Sequence, residues 1–170
     1  MSEERAGGLK VPATGGPQHI VREEDEPLAR GLPVDHLGIA VSDLSLAVPS
    51  WEIALGAHAS PPELVPSQKV RVQFLEVGET HLELLEPTSP EATIAKFLEK
   101  RGGGLHHIAF RVTDLTTKLA ELSAHGTRLL DAVPRPGARG RLVAFAHPAS
   151  FGGVLTEFVQ ETHRAHGGAP

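Results

Sequence analysis

Leu105-His106-His107-Ile108-Ala109-Phe110-Arg111-Val112-Thr113-Asp114-Leu115 decides how this chain is read, because the stretch occurs twice. Shifted back seventy-one positions, His107 falls on His36, Ile108 on Leu37, Phe110 on Ile39, Val112 on Val41, Thr113 on Ser42, Asp114 on Asp43 and Leu115 on Leu44. Self-similarity at one fixed shift marks a duplicated module. In each copy the histidine opens an alternating strand. Its same-side neighbours are Gly38 and Ala40 in one copy, Ala109 and Arg111 in the other, while the opposite side is apolar and is expected to face helices. Small neighbours leave open space in front of a histidine, where a ligand or metal can sit.

The last strands of the copies match at a shift of seventy-four, Thr80-His81-Leu82-Glu83-Leu84-Leu85-Glu86 against Val154-Leu155-Thr156-Glu157-Phe158-Val159-Gln160. Glu83 and Glu157 are therefore equivalent. Each is a carboxylate among apolar neighbours, costly to bury unless something compensates its charge. A lone strand histidine is ordinarily a hydrogen-bonded core residue, and a lone strand glutamate ordinarily lies at an edge. Four residues obeying one repeat point instead to a shared site. Curved sheets that bring His36, Glu83, His107 and Glu157 together offer two imidazoles and two carboxylates, a set suited to a borderline divalent ion with positions left open for substrate. Alternation sends His106 to the face opposite His107, in a structural or supporting role. His58, His81, His125 and His147 have no counterparts in the repeat.

At 170 residues the chain allows one domain or two small fused ones. It has no cysteine, so any metal must be held by nitrogen and oxygen. A net charge of -5 and a pI near 6.0 give no general basic field for nucleic acid, and nothing approaches the roughly eighteen apolar residues of a membrane span. A small-molecule partner is expected, with neither nucleic acid nor membrane. Residues 1–31, charged and rich in Pro and Gly, read as a disordered arm without a secretory signal, and 162–170 as a disordered tail; cytoplasm is the expected location. Between them the domain spans 32–161, with module one at 33–87, a linker helix at 89–102 and module two at 104–161.

In module one the pattern predicts a strand Val34 to Val41, a helix capped by Ser42 and kinked at Pro49, a short strand Ala57 to Ser60, a Pro-rich loop Pro61 to Ser67, and strands Lys69 to Val77 and Thr80 to Glu86. Ser89 and Pro90 open the linker helix. Module two repeats the order: strand Leu105 to Val112, cap Thr113, helix Asp114 to Ala124, short strand Thr127 to Leu130, loop Pro134 to Gly140, and strands Arg141 to His147 and Gly153 to Gln160. The fold class is α+β, two tandem βαβββ modules forming a curved mixed sheet around a metal site.

Two such modules with a His/Glu/His/Glu pattern resemble the vicinal oxygen chelate superfamily, which includes glyoxalase I, extradiol dioxygenases and antibiotic-binding proteins. Within it, Val34-Asp35-His36-Leu37-Gly38-Ile39-Ala40-Val41, Glu83-Leu84-Leu85-Glu86-Pro87, Ile94-Ala95-Lys96-Phe97-Leu98, Gly104-Leu105-His106-His107-Ile108 and the run Phe145-Ala146-His147-Pro148 to Phe151-Gly152-Gly153-Val154-Leu155 resemble the methylmalonyl-CoA epimerase family. The likeness covers about residues 33–160, and the linker helix and the last run are its more specific parts. It implies a divalent ion, cobalt foremost with zinc, nickel or manganese as alternatives, on His36, Glu83, His107 and Glu157. It also implies a CoA thioester substrate and a 1,1-proton shift at C2 that interconverts the (R) and (S) epimers, with Glu157 as a catalytic proton-transfer group. A homodimer is expected from the apolar outer face of each first strand.

Two positions depart from that family. Some members carry a glutamate base where Val72 stands, and a basic residue often follows the His-Pro pair where this chain has Ala149. Arg135, Arg139 and Arg141 are candidates to meet a CoA phosphate. Two other readings stay open: a glyoxalase I-type isomerase or lyase using the same four ligands on a hemithioacetal, and a metal-free small-molecule-binding resistance protein of the same fold. The second is poorly served by a chain with no tyrosine and few aromatic rings to stack on a flat drug.

Overall fold

The computed structural model describes residues 31–162. Apart from Gly31 and Thr162, the arm expected over 1–31 and the tail expected over 162–170 lie outside the described residues. The elements run β1 (Val34–Ala40), α1 (Leu44–Leu55), β2 (Glu63–Val65), β3 (Val70–Val77), β4 (Thr80–Pro87), α2 (Thr93–Arg101), β5 (Gly104–Arg111), α3 (Leu115–Ala124), β6 (Arg135–Pro136), β7 (Leu142–Ala146) and β8 (Leu155–Gln160). The eight strands form one curled mixed sheet in the order β2-β3-β4-β1-β5-β8-β7-β6. Read outward from the centre, each half repeats the same order. β1 lies parallel to β4, β5 lies parallel to β8, and β1 and β5 meet antiparallel.

Alternation along β1 divides the two faces of the sheet as its sequence requires. Leu37 and Ile39 pack outward against Leu44 and Val48 of α1, with Leu75, Leu82 and Leu84 completing that cluster. In the second half Leu115 and Leu119 of α3 pack on Val112, Ala144, Ala146 and Phe158. The linker helix α2 behaves differently, because its Ile94 joins Ala40, Val70, Val72, Phe74 and Leu85, residues that include the inward side of β1 and β3. It closes one end of the concave face instead of covering the outside. Since α1 covers the outer face of β1 within the same chain, that face is not free for a second subunit.

Several boundaries differ from the expected ones for identifiable reasons. The caps of α1 and α3 are Asp43 and Asp114, one residue later than Ser42 and Thr113. Each aspartate is still extended, and its carboxylate accepts from the backbone N–H of Ser45 at 2.7 Å or Thr117 at 3.0 Å, a charge-assisted bond that a hydroxyl cannot match. Pro49 sits inside α1, which continues past it to Gly56 in the left-handed conformation. Ser89 and Pro90 form a turn ahead of α2, whose cap is Ala92. The short strands expected at 57–60 and 127–130 shrink to single bridges, Ala59 to Leu75 and Leu129 to Ala146. The two loops instead supply the outermost strands, β2 and β6, because their extended backbones find ladder partners on β3 and β7.

Candidate metal centre

The four repeated residues reach one point because of strand register. Gly38 on β1 stands opposite both Glu83 on β4 and His107 on β5, and Ala109 on β5 stands opposite Glu157 on β8. His36 precedes Gly38 by one inward step. Its Nε2 lies 3.1 Å from Nε2 of His107, 3.3 Å from Oε2 of Glu83 and 3.1 Å from Oε2 of Glu157. Nε2 of His107 lies 3.6 Å from Glu83 Oε2 and 2.9 Å from Glu157 Oε2. All four side chains are buried, and one donor atom from each falls within 4.8 Å of the others. The space in front of His36 is not empty as expected. A Cβ on Gly38 would lie 2.1 Å from Cε1 of His107, so the glycine is the seat of the second imidazole.

The donor set passes a test of fit for a divalent cation. Ligand atoms about 2.0–2.2 Å from an ion stand roughly 3 Å apart when they are neighbours, which is the spacing of these contacts. The cage holds about 20 Å³, room for a single ion or water, walled by Phe74 and Phe145. Oε2 of Glu157 is buried and, though close to both imidazoles, makes no aligned hydrogen bond. A buried acceptor without an aligned hydrogen bond, standing among three other donor atoms, is one whose lone pair a cation can satisfy. The cluster can therefore hold a divalent metal.

Charge is balanced inside the cage. Burial alone would raise the Glu157 carboxyl, but the positive charge of His107 and contacts with His107 and His36 hold it down at about 2. Burial pulls His36 down, yet its hydrogen bond to Asp35 and its close contacts with the Glu157 and Glu83 carboxylates push it well above its ordinary value. Asp35, fully buried, would be raised by burial and is driven far below the carboxylate range by the hydrogen bond to His36 and by Arg141 and Arg111. Burial, followed by the charge of His107, lowers His106 to about 4.

A cavity of about 460 Å³ adjoins the cage, with Gln68, His107 and Phe145 lining both spaces. Its wall carries Lys69, Glu91, Asp131 and Arg135 among apolar Val70, Leu85 and Ile94. Small-molecule sites have this make-up, a mainly apolar hollow with a few polar groups.

Some expectations need correction. His106 does not turn away from the site; its Nδ1 lies 3.0 Å from Nδ1 of His107. Arg141 is occupied inside the protein, donating to Asp35 at 2.6 Å, and Arg139 lies 4.0 Å over the Phe74 ring while its backbone donates to Glu63. Of the three arginines proposed for phosphate, Arg135 lines the 460 Å³ cavity, braced by Asp131, whereas Arg139 lines a separate hollow of about 600 Å³ with Glu63, Gly140 and Thr162. His147, which has no counterpart in the repeat, caps the turn at Pro148 by accepting from Ala149 N–H. Asp35 and Gln68 were not anticipated. The position of Asp35 next to His36 was its one visible signal, whereas nothing in the sequence marks Gln68.

Residues 35–145 match the Glyoxalase/Bleomycin resistance protein/Dioxygenase superfamily. An ethylmalonyl-CoA/methylmalonyl-CoA epimerase of Cereibacter sphaeroides is 39% identical, covering 75% of this chain and 96% of its own. The chain belongs to that superfamily, in its methylmalonyl-CoA epimerase family. Membership makes it an isomerase. The uncharacterized Bacillus subtilis protein YqjC is 40% identical over 78% of this chain and 97% of its own. A Streptomyces coelicolor methylmalonyl-CoA epimerase variant, solved in complex with 2-nitronate-propionyl-CoA, superposes with a TM-score of 0.75 at 36% identity, covering 78% of this chain and 97% of that one. No helix among the described residues is long and apolar enough to cross a membrane.

Proposed function

We propose that this protein is a metal-dependent epimerase that interconverts (R)- and (S)-methylmalonyl-CoA, with His36, Glu83, His107 and Glu157 as metal ligands and Glu157 also serving in proton transfer. The catalytic domain in this reading is 32–161, built as module one 33–87, linker helix 89–102 and module two 104–161. One observation carries it: four buried donors, two imidazole and two carboxylate, meet within 4.8 Å beside a 460 Å³ cavity that shares His107 with them. An epimerase relative 39% identical and a CoA-bound structural neighbour favour this substrate over a hemithioacetal. A cytoplasmic location goes with the reading.

A divalent ion, cobalt foremost, would polarise the thioester and carboxylate oxygens on either side of C2 and so acidify the hydrogen between them. Glu157, ionised at neutral pH, accepts that proton as the C–H electron pair moves into the thioester carbonyl to give an enolate. Epimerisation then needs a proton delivered to the opposite face. Val72 cannot deliver it, being an isopropyl group buried among Val70, Phe74 and Leu85. Water or a polar side chain of the cavity wall fills that role. Arg135, half-buried and braced by Asp131 at 3.1 Å, stands in the same wall as a fixed cation for the CoA arm.

In heavy water, conversion of one methylmalonyl-CoA epimer should place deuterium at C2. The substitution Glu157→Gln should lower kcat by at least about a hundredfold, and far more than it raises KM, in protein whose metal content is measured alongside. Turnover of a hemithioacetal with none of methylmalonyl-CoA would transfer the chain to the glyoxalase reading. A homodimer belongs to the proposal. Leu46 and Ile53 on α1, 74% and 86% exposed, are the apolar pair that association would cover, and a monomer by light scattering at micromolar concentration would rule it out.

A further inference from the structure

We propose that the residue immediately before each histidine of the cage, Asp35 in the first half and His106 in the second, is a positioning residue that keeps the proton of that histidine on Nδ1 and so presents Nε2 to the metal. The inference rests on the four-residue site proposed above and concerns the groups standing behind it. The seventy-one-residue repeat that places His107 on His36 also places His106 on Asp35. Both have left their expected places on the strand for the same reason. The β1–β5 ladder slips by one residue twice, once between Val34 and His36 and once between the partners of Gly38 and Ile39, leaving Asp35 and His106 as the extra residues of two bulges. A bulge swings a side chain off the simple alternation. Here each one turns the preceding residue toward its ligand: Asp35 Oδ1 comes within 2.9 Å of His36 Nδ1, and His106 Nδ1 within 3.0 Å of His107 Nδ1.

The chemistry follows from what each group can donate. A carboxylate only accepts, so the contact with Asp35 requires the hydrogen on Nδ1 of His36. With Nε2 of His107 turned to a metal, its remaining hydrogen is on Nδ1, and His106 must accept it through an unprotonated Nδ1. Both supports are themselves fixed. Asp35 is fully buried and takes two further bonds from the other half of the protein, Arg111 Nε at 3.0 Å and Arg141 at 2.6 Å. His106 packs edge-on against Phe97 of α2, ring centres 4.9 Å apart. The repeat is thus exact in the ligands and broken behind them. His36 is backed by an anion and His107 by a neutral ring, which makes His36 the more strongly donating imidazole.

Co2+ affinity by competition with a chromophoric chelator, and the visible absorption of the Co2+-loaded protein, test the assignment in three variants of the full chain. His106→Leu keeps an apolar side chain against Phe97 but removes the acceptor, and should weaken Co2+ binding about tenfold to a hundredfold and shift the absorption bands. His106→Gln, which restores an acceptor, should recover most of the lost affinity. Asp35→Asn should weaken binding by a similar factor, and if it fails to fold the His106 pair decides alone. A folded His106→Leu protein with parental affinity and an unchanged spectrum would overturn the proposal. Failure of the parent to bind Co2+ at all would overturn the four-residue site itself, and the positioning roles with it.

Discussion

At the scale of single residues, the cage depends on a hydrogen atom as much as on its ligands. Gly38 is the one position on β1 from which a Cβ would strike three atoms of the His107 ring, all within 2.6 Å. Backbone freedom does not explain this glycine, since its φ is not positive; close approach does. Gly38→Ala must displace His107 or shift β1, and overpacking of this kind costs about 1–3 kcal/mol. The expected result is a lower melting temperature together with at least tenfold weaker metal binding, roughly the loss that follows when a ligand is disturbed. Parental affinity in a folded Gly38→Ala protein would show that the ring has room to move.

Elements add a different constraint. Pro49 lies in the second turn of α1, where its missing N–H leaves the carbonyl of Ser45 without its helical partner, yet the helix continues to Leu55. Burial of Leu44 and Val48 against the sheet holds it together, which is why a proline that reads as a kink in sequence is tolerated in the fold. Pro49→Ala restores the hydrogen bond at an exposed position and should stabilise the protein by about 1–3 kcal/mol, read from a denaturant midpoint, with activity unchanged. Its cap behaves oppositely. Asp43→Ala removes the acceptor for Ser45 N–H and should cost about 0.5–2 kcal/mol in the same measurement.

For the whole molecule, the cage is also a pH-dependent clasp between the halves, since β1 and β4 supply two of its groups and β5 and β8 the others. In metal-free protein His36 is raised above its ordinary 6.5, so its stabilisation is whole below that value and is lost as pH rises through the folded value. Glu157 is lowered from 4.5 to about 2, so its contribution is whole above 4.5 and is lost as pH falls through about 2. These two groups make the metal-free protein most stable between pH 4.5 and 6.5. Bound metal would replace the Nε2 proton of a charged His36 and leave the one on Nδ1, and the melting temperature gained on adding Co2+ should therefore grow as pH rises from about 5 to 8. A gain independent of pH would mean that ion and proton do not compete for the site.

The sequence by itself determined the duplication, and with it the pairing of His36 with His107 and of Glu83 with Glu157, because repetition at a fixed shift is visible without coordinates. It also determined the central strands and the helices that cover them, since their apolar spacing has a period. Only the tertiary structure decided how the site is finished. A one-residue slip in the β1–β5 ladder is a property of two strands together, so neither strand alone reveals that Asp35 and His106 turn inward. Asp35 is served by Arg111 and Arg141, seventy-six and one hundred and six residues away in the chain, and that contact engages Arg141, a candidate for a substrate phosphate, inside the protein. The edge strands β2 and β6 escaped sequence reading for the same reason: a Pro-rich loop becomes a strand only when a neighbouring ladder offers it hydrogen bonds.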